Sequence, residues 1–487
     1  MKLLKDILYK VSVNAVYGDT NVKVAQVDFD SRKVVKDSLF VAQIGNSVDG
    51  HLYIDKAISL GATTIICEKL PIRLEANITF IQVEDSSKTL AIIASNFYDN
   101  PSSKLKLIGV TGTNGKTTVA SLLYQLFKKS GYKTGLLSTV QILVDTTVFN
   151  ATHTTPDSVT INYYLHQMVL LGVDYCFMEV SSHGIHQKRT EGIEFAGGIF
   201  TNLSHDHLDY HVSFASYRDV KKSFFDSLPK TAFALTNLDD KNGNIMLQNT
   251  KARKRTYALK TLADYKAKII EKSFSGTLIS INDTEFWTKL IGNFNAYNLA
   301  AIIGVAYELG LEKIEILTII SQLESVSGRF EHLVSDNGVI AIVDYAHTPD
   351  ALKNVLETIN NIRTNNEKLI TVIGCGGDRD KTKRPKMAHI ASQLSTQAIF
   401  TSDNPRTENP DTILEEMEEG VSAENLKKII TISDRRQAIK TACKFSETGD
   451  ILLIAGKGHE NYQEISGERF HFDDLVEVKK YFNLLKK

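Results

Sequence analysis

Residues 111–118 read TGTNGKTT, a set of residue types suited to holding a chain of phosphates. Gly112 and Gly115 let backbone N–H groups approach oxygen closely, and a helix starting here adds the positive potential of its N-terminus. Lys116 would reach the β/γ-phosphates, and the Thr117 hydroxyl would face a magnesium ion. The strict GxxxxGK[ST] spacing is not met, because Val110 stands five residues before Gly115. A glycine turn before a surface helix is the competing reading. The flanks argue against it: an apolar, strand-like run at 105–110 precedes the loop and a helical-period segment at 119–129 follows it.

Two further strings follow strand-like runs, MEVSSHG at 178–184 and TNLSHDHLDYH at 201–211. Strand ends are where α/β folds gather their sites, so both strings are expected to face the phosphate loop. His205, His207 and His211 could be read as zinc ligands, but HxHx3H brings no sulfur and no clear fourth ligand. Magnesium prefers oxygen, and Glu179 can supply one carboxylate. Lys221, beside Lys222, reads by itself as a solvated helix lysine. The asparagines of IGNFNAYN at 291–298 read as capping or turn residues. Farther on come GCGGDRDKTKRPKM at 374–387, DNPR at 403–406 and AGKGHENYQ at 455–463. The charged Asp-Arg-Asp-Lys run fits a charged ligand better than a dinucleotide.

These strings need a frame. Short β-rich runs alternate with helical-period segments along the 487 residues, the pattern of an α/β fold with mostly parallel sheets. Length suggests about three domains. Strand candidates at 38–42, 63–67 and 79–83 precede a polar break, NPSSK, and set a first domain at 1–103. Candidates at 105–110, 177–180 and 197–200 belong to a second at 104–328. Those at 339–343, 369–373, 398–401 and 451–455 belong to a third at 329–487. With 56 Lys plus Arg against 57 Asp plus Glu, the net charge of −1 leaves no broad basic field for nucleic acid or anionic lipid. The longest apolar run, 299–307, is too short to span a bilayer. Lys5, Asp6 and Lys10 interrupt any leader-like stretch, so the cytoplasm is the expected location. Four widely spaced cysteines read as buried thiols in a reducing compartment.

The loop, with GTNGKTT at 112–118 matched without a gap, resembles that of the Mur ligase family, ATP-dependent amide-forming enzymes of peptidoglycan synthesis that have folylpolyglutamate synthases as relatives. The resemblance implies a central P-loop mononucleotide-binding domain flanked by an N-terminal UDP-binding α/β domain and a C-terminal Rossmann-like α/β domain. It implies that Gly112, Thr113, Asn114, Gly115, Lys116, Thr117 and Thr118 bind ATP phosphates. It also implies that Thr117 and Glu179 hold one magnesium, while His207 and a carbamylated Lys221 serve a second. Lys116, Lys221 and His207 would then be the catalytic set. Val220 and Val212 depart from the family pattern without touching a ligand. By the same resemblance Asn298 contacts adenine, Arg329 reaches the ATP phosphates, Asp344 meets the ribose, and His347 falls near the phosphates.

The first domain's DFDSRKV and IGNSVDGHLYI resemble uridine-binding elements of the family, which implies that Phe29, Ser31, Asn46, Ser47 and Val48 hold the UDP moiety. THTTPD and SSHGIHQKR add Thr154, Thr155, Ser181, Gln187 and Arg189 to the nucleotide-sugar substrate. In the third domain the implied amino-acid site is Arg379, Asp403, Asn404, Pro405, Arg406, Gly456 and Glu460. DNPR resembles the motif of the meso-diaminopimelate-adding members, whereas lysine-adding members replace its Arg. The physics agrees, because an Arg fork grips a second carboxylate and repels a terminal ammonium. The expected activity is ATP-dependent addition of meso-diaminopimelate to a UDP-muramoyl dipeptide by a monomer. A lysine-adding ligase and a nucleotide-switch protein are the alternatives.

Overall fold

The computed structural model describes every residue except Asn46, Ser47, His205, His207, Leu208 and Asp209. Three large sheets follow one another along the chain. The first has five strands in the spatial order Val13–Tyr17, Thr79–Val83, Ala62–Cys67, Ser38–Val41, Gln26–Asp28. All neighbours in it are parallel except the edge strand Val13–Tyr17. Helix Ser86–Phe97, capped by the Asp85 carboxylate, buries Leu90, Ala91, Ile93 and Ala94 at helical spacing beneath it.

The central sheet has eleven strands, and the order of its middle strands positions the chemistry. Strand Lys106–Thr111 lies between Tyr175–Glu179 and Gly197–Phe200, parallel to both. The three strings that follow these strands therefore emerge side by side at the same sheet edge. Helices Lys116–Lys129 and Asn293–Glu308 cover one face, and helices Ser158–Leu170 and Phe214–Asp226 the other. Asn293–Glu308 is apolar nearly all round because it is enclosed, which accounts for the run at 299–307.

Both ends of this sheet depart from the expected parallel pattern. Gln141–Val144 and Thr147–Asn150 form an antiparallel hairpin at one end, and Tyr265–Ser273, Gly276–Ile281 and Thr284–Thr288 an antiparallel meander at the other. The meander carried a readable signal: Asn282 and Asp283, both at positive φ, join two alternating runs.

The third sheet has the order Glu331–Val334, Ile340–Asp344, Ile451–Ala455, Leu369–Ile373, Gln397–Phe400, Ile429–Thr431, parallel except for its first strand. Asp344, Gly374, Thr401 and Gly456 all stand at or just beyond adjacent carboxyl ends. All four cysteines are buried and free. Among the described residues no helix is long and apolar enough to cross a membrane.

Arg435 and Asp474, each with a fully buried side chain, form a two-point pair at 2.8 and 2.6 Å, and Arg435 also donates to Ala455 O at the end of a central strand. Asp474→Ala leaves a buried guanidinium unpaired and is expected to lower unfolding free energy by about 3–5 kcal/mol. Denaturant titration measures this, and a loss below about 1 kcal/mol would contradict the structural weight given to the pair.

Candidate active site

The phosphate loop is held from behind by the string that leaves the neighbouring strand. Thr113 N donates to Asn202 O, Asn114 N to Asn202 Oδ1, and both Thr201 Oγ1 and Asn202 Nδ2 donate to Asn114 O. Thr113 Oγ1 accepts from Ser204 N and lies 3.1 Å from Tyr217 Oη. Gly115, at φ +88°, has no room for a side chain: a Cβ there would stand 2.7 Å from Asn298 Oδ1. Helix Lys116–Lys129 starts at Lys116 itself, three residues before the expected segment. Thr117 and Thr118 are buried in its first turn. Lys116 Nζ curls back to Gly112 O and Thr113 O at 3.0 and 2.8 Å, and burial lowers its pKa.

Lys221 is not a solvated helix lysine. Its side chain is 1% exposed, and Nζ donates to Gly112 O at 2.9 Å beneath the loop. Burial, then the neighbouring Lys116 charge, pushes its pKa well below the ordinary lysine value. Glu179, fully buried, accepts from Thr117 Oγ1 at 3.0 Å and from Thr139 N at 2.7 Å. A hydroxyl and a carboxylate converging from loop and strand end are an all-oxygen donor pair of the kind magnesium takes. His207, expected as a ligand, and the zinc reading that includes His205 lie outside the described residues.

The third sheet closes over this loop. Arg329 Nη2 donates to Thr117 Oγ1 at 3.1 Å while its guanidinium stacks 4.4 Å from the Tyr345 ring centroid. Two closing contacts went unread in the sequence, Asn114 Nδ2 to Asp350 Oδ2 at 3.3 Å and Lys383 Nζ to Asp206 Oδ1 at 2.7 Å. Neither residue type nor spacing marks an ion pair spanning 177 positions. Asn298 is buried, its Nδ2 donating to Asn295 Oδ1. Asp344 accepts from Phe330 N, and His347 Nδ1 lies 2.8 Å from Tyr345 O, leaving Nε2 for another partner.

On the opposite side of the central sheet, Thr155 Oγ1 donates to Glu179 O and accepts from Ser181 N. Arg189 reaches Thr155 O and grips Gln187 Oε1 through Nε and Nη2. Thr154 Oγ1 accepts from Thr139 Oγ1. Phe29 and Val159 pack against the same first-sheet core, so the first sheet meets this group. Ser31 is buried in the short 3-10 turn Ser31–Lys33 and Val48 is exposed. The expected UDP contacts Asn46 and Ser47 lie outside the described residues.

In the third sheet, Arg379 and Arg406 both pack around Gly376: a Cβ there would lie 3.0 Å from Arg406 Nη1 and 3.7 Å from the Arg379 stem at Cγ. Arg379 borders a cavity of about 480 Å³ with Asp378, Asp380, Lys381 and Glu408. Arg406, at φ +51°, donates Nη1 to Gly377 O at 2.7 Å, and its backbone bridges to Ile465. Asp403 and Asn404 are buried, and Pro405 leads into Arg406. Glu460, part of the implied amino-acid site, accepts from Lys457 Nζ and Asn404 Nδ2. Lys457, fully buried, is the member of this cluster that sequence reading missed.

Strand, glycine loop and helix at the centre of a parallel sheet, with carboxylate, lysine and arginine side chains converging on the loop, define a P-loop α/β protein of three sheets. The chain belongs to the Mur ligase family. The family's middle domain matches residues 110–306, its glutamate ligase domain 328–458, and the region described as its catalytic domain 23–98. The UDP-N-acetylmuramoyl-L-alanyl-D-glutamate--2,6-diaminopimelate ligase of Cytophaga hutchinsonii is 54% identical over 99% of this chain and 100% of its own. That of Phocaeicola vulgatus is 51% identical over 99% of each. A solved structure of a ligase of the same name superposes with a TM-score of 0.70 at 31% identity, covering 100% of this chain and 99% of its own.

Burial raises the Asp344 carboxyl from 3.8 to about 6, against the pull of Arg329. A folded-state pKa above the unfolded one contributes stability present below about pH 4 and lost as pH rises through about 6. Asp344→Asn removes that dependence, so its unfolding free energy relative to the parent should rise by about 3 kcal/mol between pH 4 and pH 7. A difference independent of pH would contradict it.

Proposed function

We propose that this chain is an ATP-dependent ligase that adds meso-2,6-diaminopimelate to UDP-N-acetylmuramoyl-L-alanyl-D-glutamate, a cytoplasmic step of peptidoglycan precursor synthesis carried out by a monomer. The observation that carries the reading is the full-length, 54% identity to a ligase of that substrate and amino acid. The packing of Arg406 and Arg379 around Gly376 supports the choice of a dicarboxylic amino acid.

In this reading ATP phosphorylates the γ-carboxylate of the D-glutamate, the amine of diaminopimelate attacks the acyl phosphate, and the tetrahedral intermediate collapses to amide and phosphate. The loop of residues 112–118 holds the phosphates through the N–H groups of the helix start at 115–118 and the Lys116 ammonium, and Arg329 arrives from the third domain to neutralise charge developing on the transferred group. Asn298 serves adenine, Asp344 the ribose and His347 the phosphate end. Thr117 and Glu179 would hold magnesium, which supplies charge neutralisation at the phosphates when bound. Lys221, made nucleophilic by its lowered pKa, adds to carbon dioxide and releases a proton, becoming a carbamate anion that with His207 would hold a second magnesium. Thr154, Thr155, Ser181, Gln187 and Arg189 position the muramoyl dipeptide, and the first domain's Phe29, Ser31, Asn46, Ser47 and Val48 its UDP. Holding both substrates across domains makes the attack effectively unimolecular.

Phosphate release measured over a panel of amino acids tests the reading. It should require both the UDP-dipeptide and diaminopimelate; release without either would favour a nucleotide switch, and L-lysine used as efficiently as diaminopimelate would refute the selectivity. Arg406→Ala leaves a substrate carboxylate unpaired in a closed site, so the KM for diaminopimelate should rise roughly 30-fold or more while those for ATP and the UDP-substrate hold. If Arg406 only braces its loop through Gly377, all three constants worsen together.

Lys221→Ala should be nearly inactive and partly restored by formate or acetate, which return an anion to the vacated space. Lys221→Arg cannot form the carbamate, and full activity in that variant would sink this role.

A further inference from the structure

Lys457 lies behind the amino-acid site with its side chain wholly buried. Nζ donates to Asn404 Oδ1 at 3.0 Å and to Glu460 Oε2 at 3.2 Å, and stands 3.9 Å from Asp403 Oδ1. Its approach depends on Gly456, at φ +113°, where a Cβ would come within 2.6 Å of Asp403 Oδ2. The contacts have two consequences. Asn404 Oδ1 receives Lys457 Nζ and Glu464 N, groups that only donate, so the amide has one permitted orientation and its Nδ2 must face Glu460, which it meets at 2.8 Å. The ammonium also leaves the Asp403, Glu460 and Lys457 group with a single net negative charge, while the neighbouring Glu464 carboxylate stands 3.9 Å from both Arg406 Nε and Arg469 Nε. The other buried cation nearby, Arg435, is matched by Asp474.

We propose that Lys457 is a specificity-determining positioning residue: it orients Asn404 and Glu460 and sets the single negative charge that matches the distal ammonium of a diamino-dicarboxylic acid whose carboxylate meets the arginines. This rests on the amino-acid site of the proposed reaction. Without Lys457 the group carries two negative charges, and Asn404 Oδ1 keeps only the Glu464 N donor. A zwitterionic distal end then loses its alignment, while an amino acid ending in an ammonium alone, such as L-lysine, gains attraction.

The test compares Lys457→Gln and Lys457→Arg with the parent enzyme in the phosphate-release assay, using diaminopimelate and L-lysine as probes. Lys457→Gln should raise the KM for diaminopimelate about tenfold and shift the L-lysine to diaminopimelate ratio of kcat/KM toward lysine by a similar factor. The KM values for ATP and the UDP-substrate should stay within about twofold. Lys457→Arg keeps the charge but not the single-point donor, so it should hold the parent ratio while still raising the KM for diaminopimelate. A uniform rise in all three constants, or an unchanged ratio in Lys457→Gln, overturns the proposal. If Lys457→Gln does not fold, Lys457→Arg decides: a raised KM for diaminopimelate, with those for ATP and the UDP-substrate unchanged and the amino-acid ratio held, supports the role, and a parental value overturns it. A parent enzyme that ignores diaminopimelate would instead fail the proposed function, which separates the two.

Discussion

Two lysine side chains end on one carbonyl oxygen. Lys116 and Lys221 both donate to Gly112 O, from above and beneath the loop, at 3.0 and 2.9 Å. Burial lowers the proton affinity of both amines, and the Lys116 charge depresses Lys221 further. Such a pair is satisfied by negative charge. The surrounding structure answers with buried carboxylates at Glu179 and Asp206, which act in the opposite sense on Lys116, and with a loop that leads into the N-terminus of helix Lys116–Lys129. The proposed chemistry, phosphate above the loop and a carbamate beneath it, supplies the missing anions at both ends.

The same electrostatics accounts for the closure. Arg329 reaches Thr117 and Lys383 reaches Asp206, so the third sheet adds cations to a group that already contains buried carboxylates. A guanidinium delivered by a separate domain is available when the domains meet and withdrawn when they part, which is how a site can admit ATP and then enclose it. In the third sheet the balance is local: Lys457 is matched by Glu460 and Asp403, Arg435 by Asp474, and Arg384 by Glu408 and Glu416. Arg406 lies 3.9 Å from the Glu464 carboxylate and donates to Gly377 O, which fixes its place beside Gly376.

The local elements were legible because they rest on local physics. A strand, a glycine loop and a helix at 105–129 and the runs at 79–83, 197–200, 369–373 and 451–455 follow from hydrophobic period and turn chemistry. The antiparallel meander at 265–288 was passed over although Asn282–Asp283 marks it, because its alternating strands are half-exposed and polar enough to resemble surface segments.

The sequence by itself determined which residue types stand in the loop and strand-end strings and the α/β alternation that holds them, since both depend on residue type and short-range spacing. It did not determine that Lys221 is buried, that Glu460 already holds a lysine, or that Lys383 clasps Asp206. Those depend on which strand lies beside which and how far one sheet tilts onto another. Only the tertiary structure decides whether a charged side chain ends in water or against another charge, and the same lysine is a solvated ornament in the first case and a perturbed, reactive group in the second.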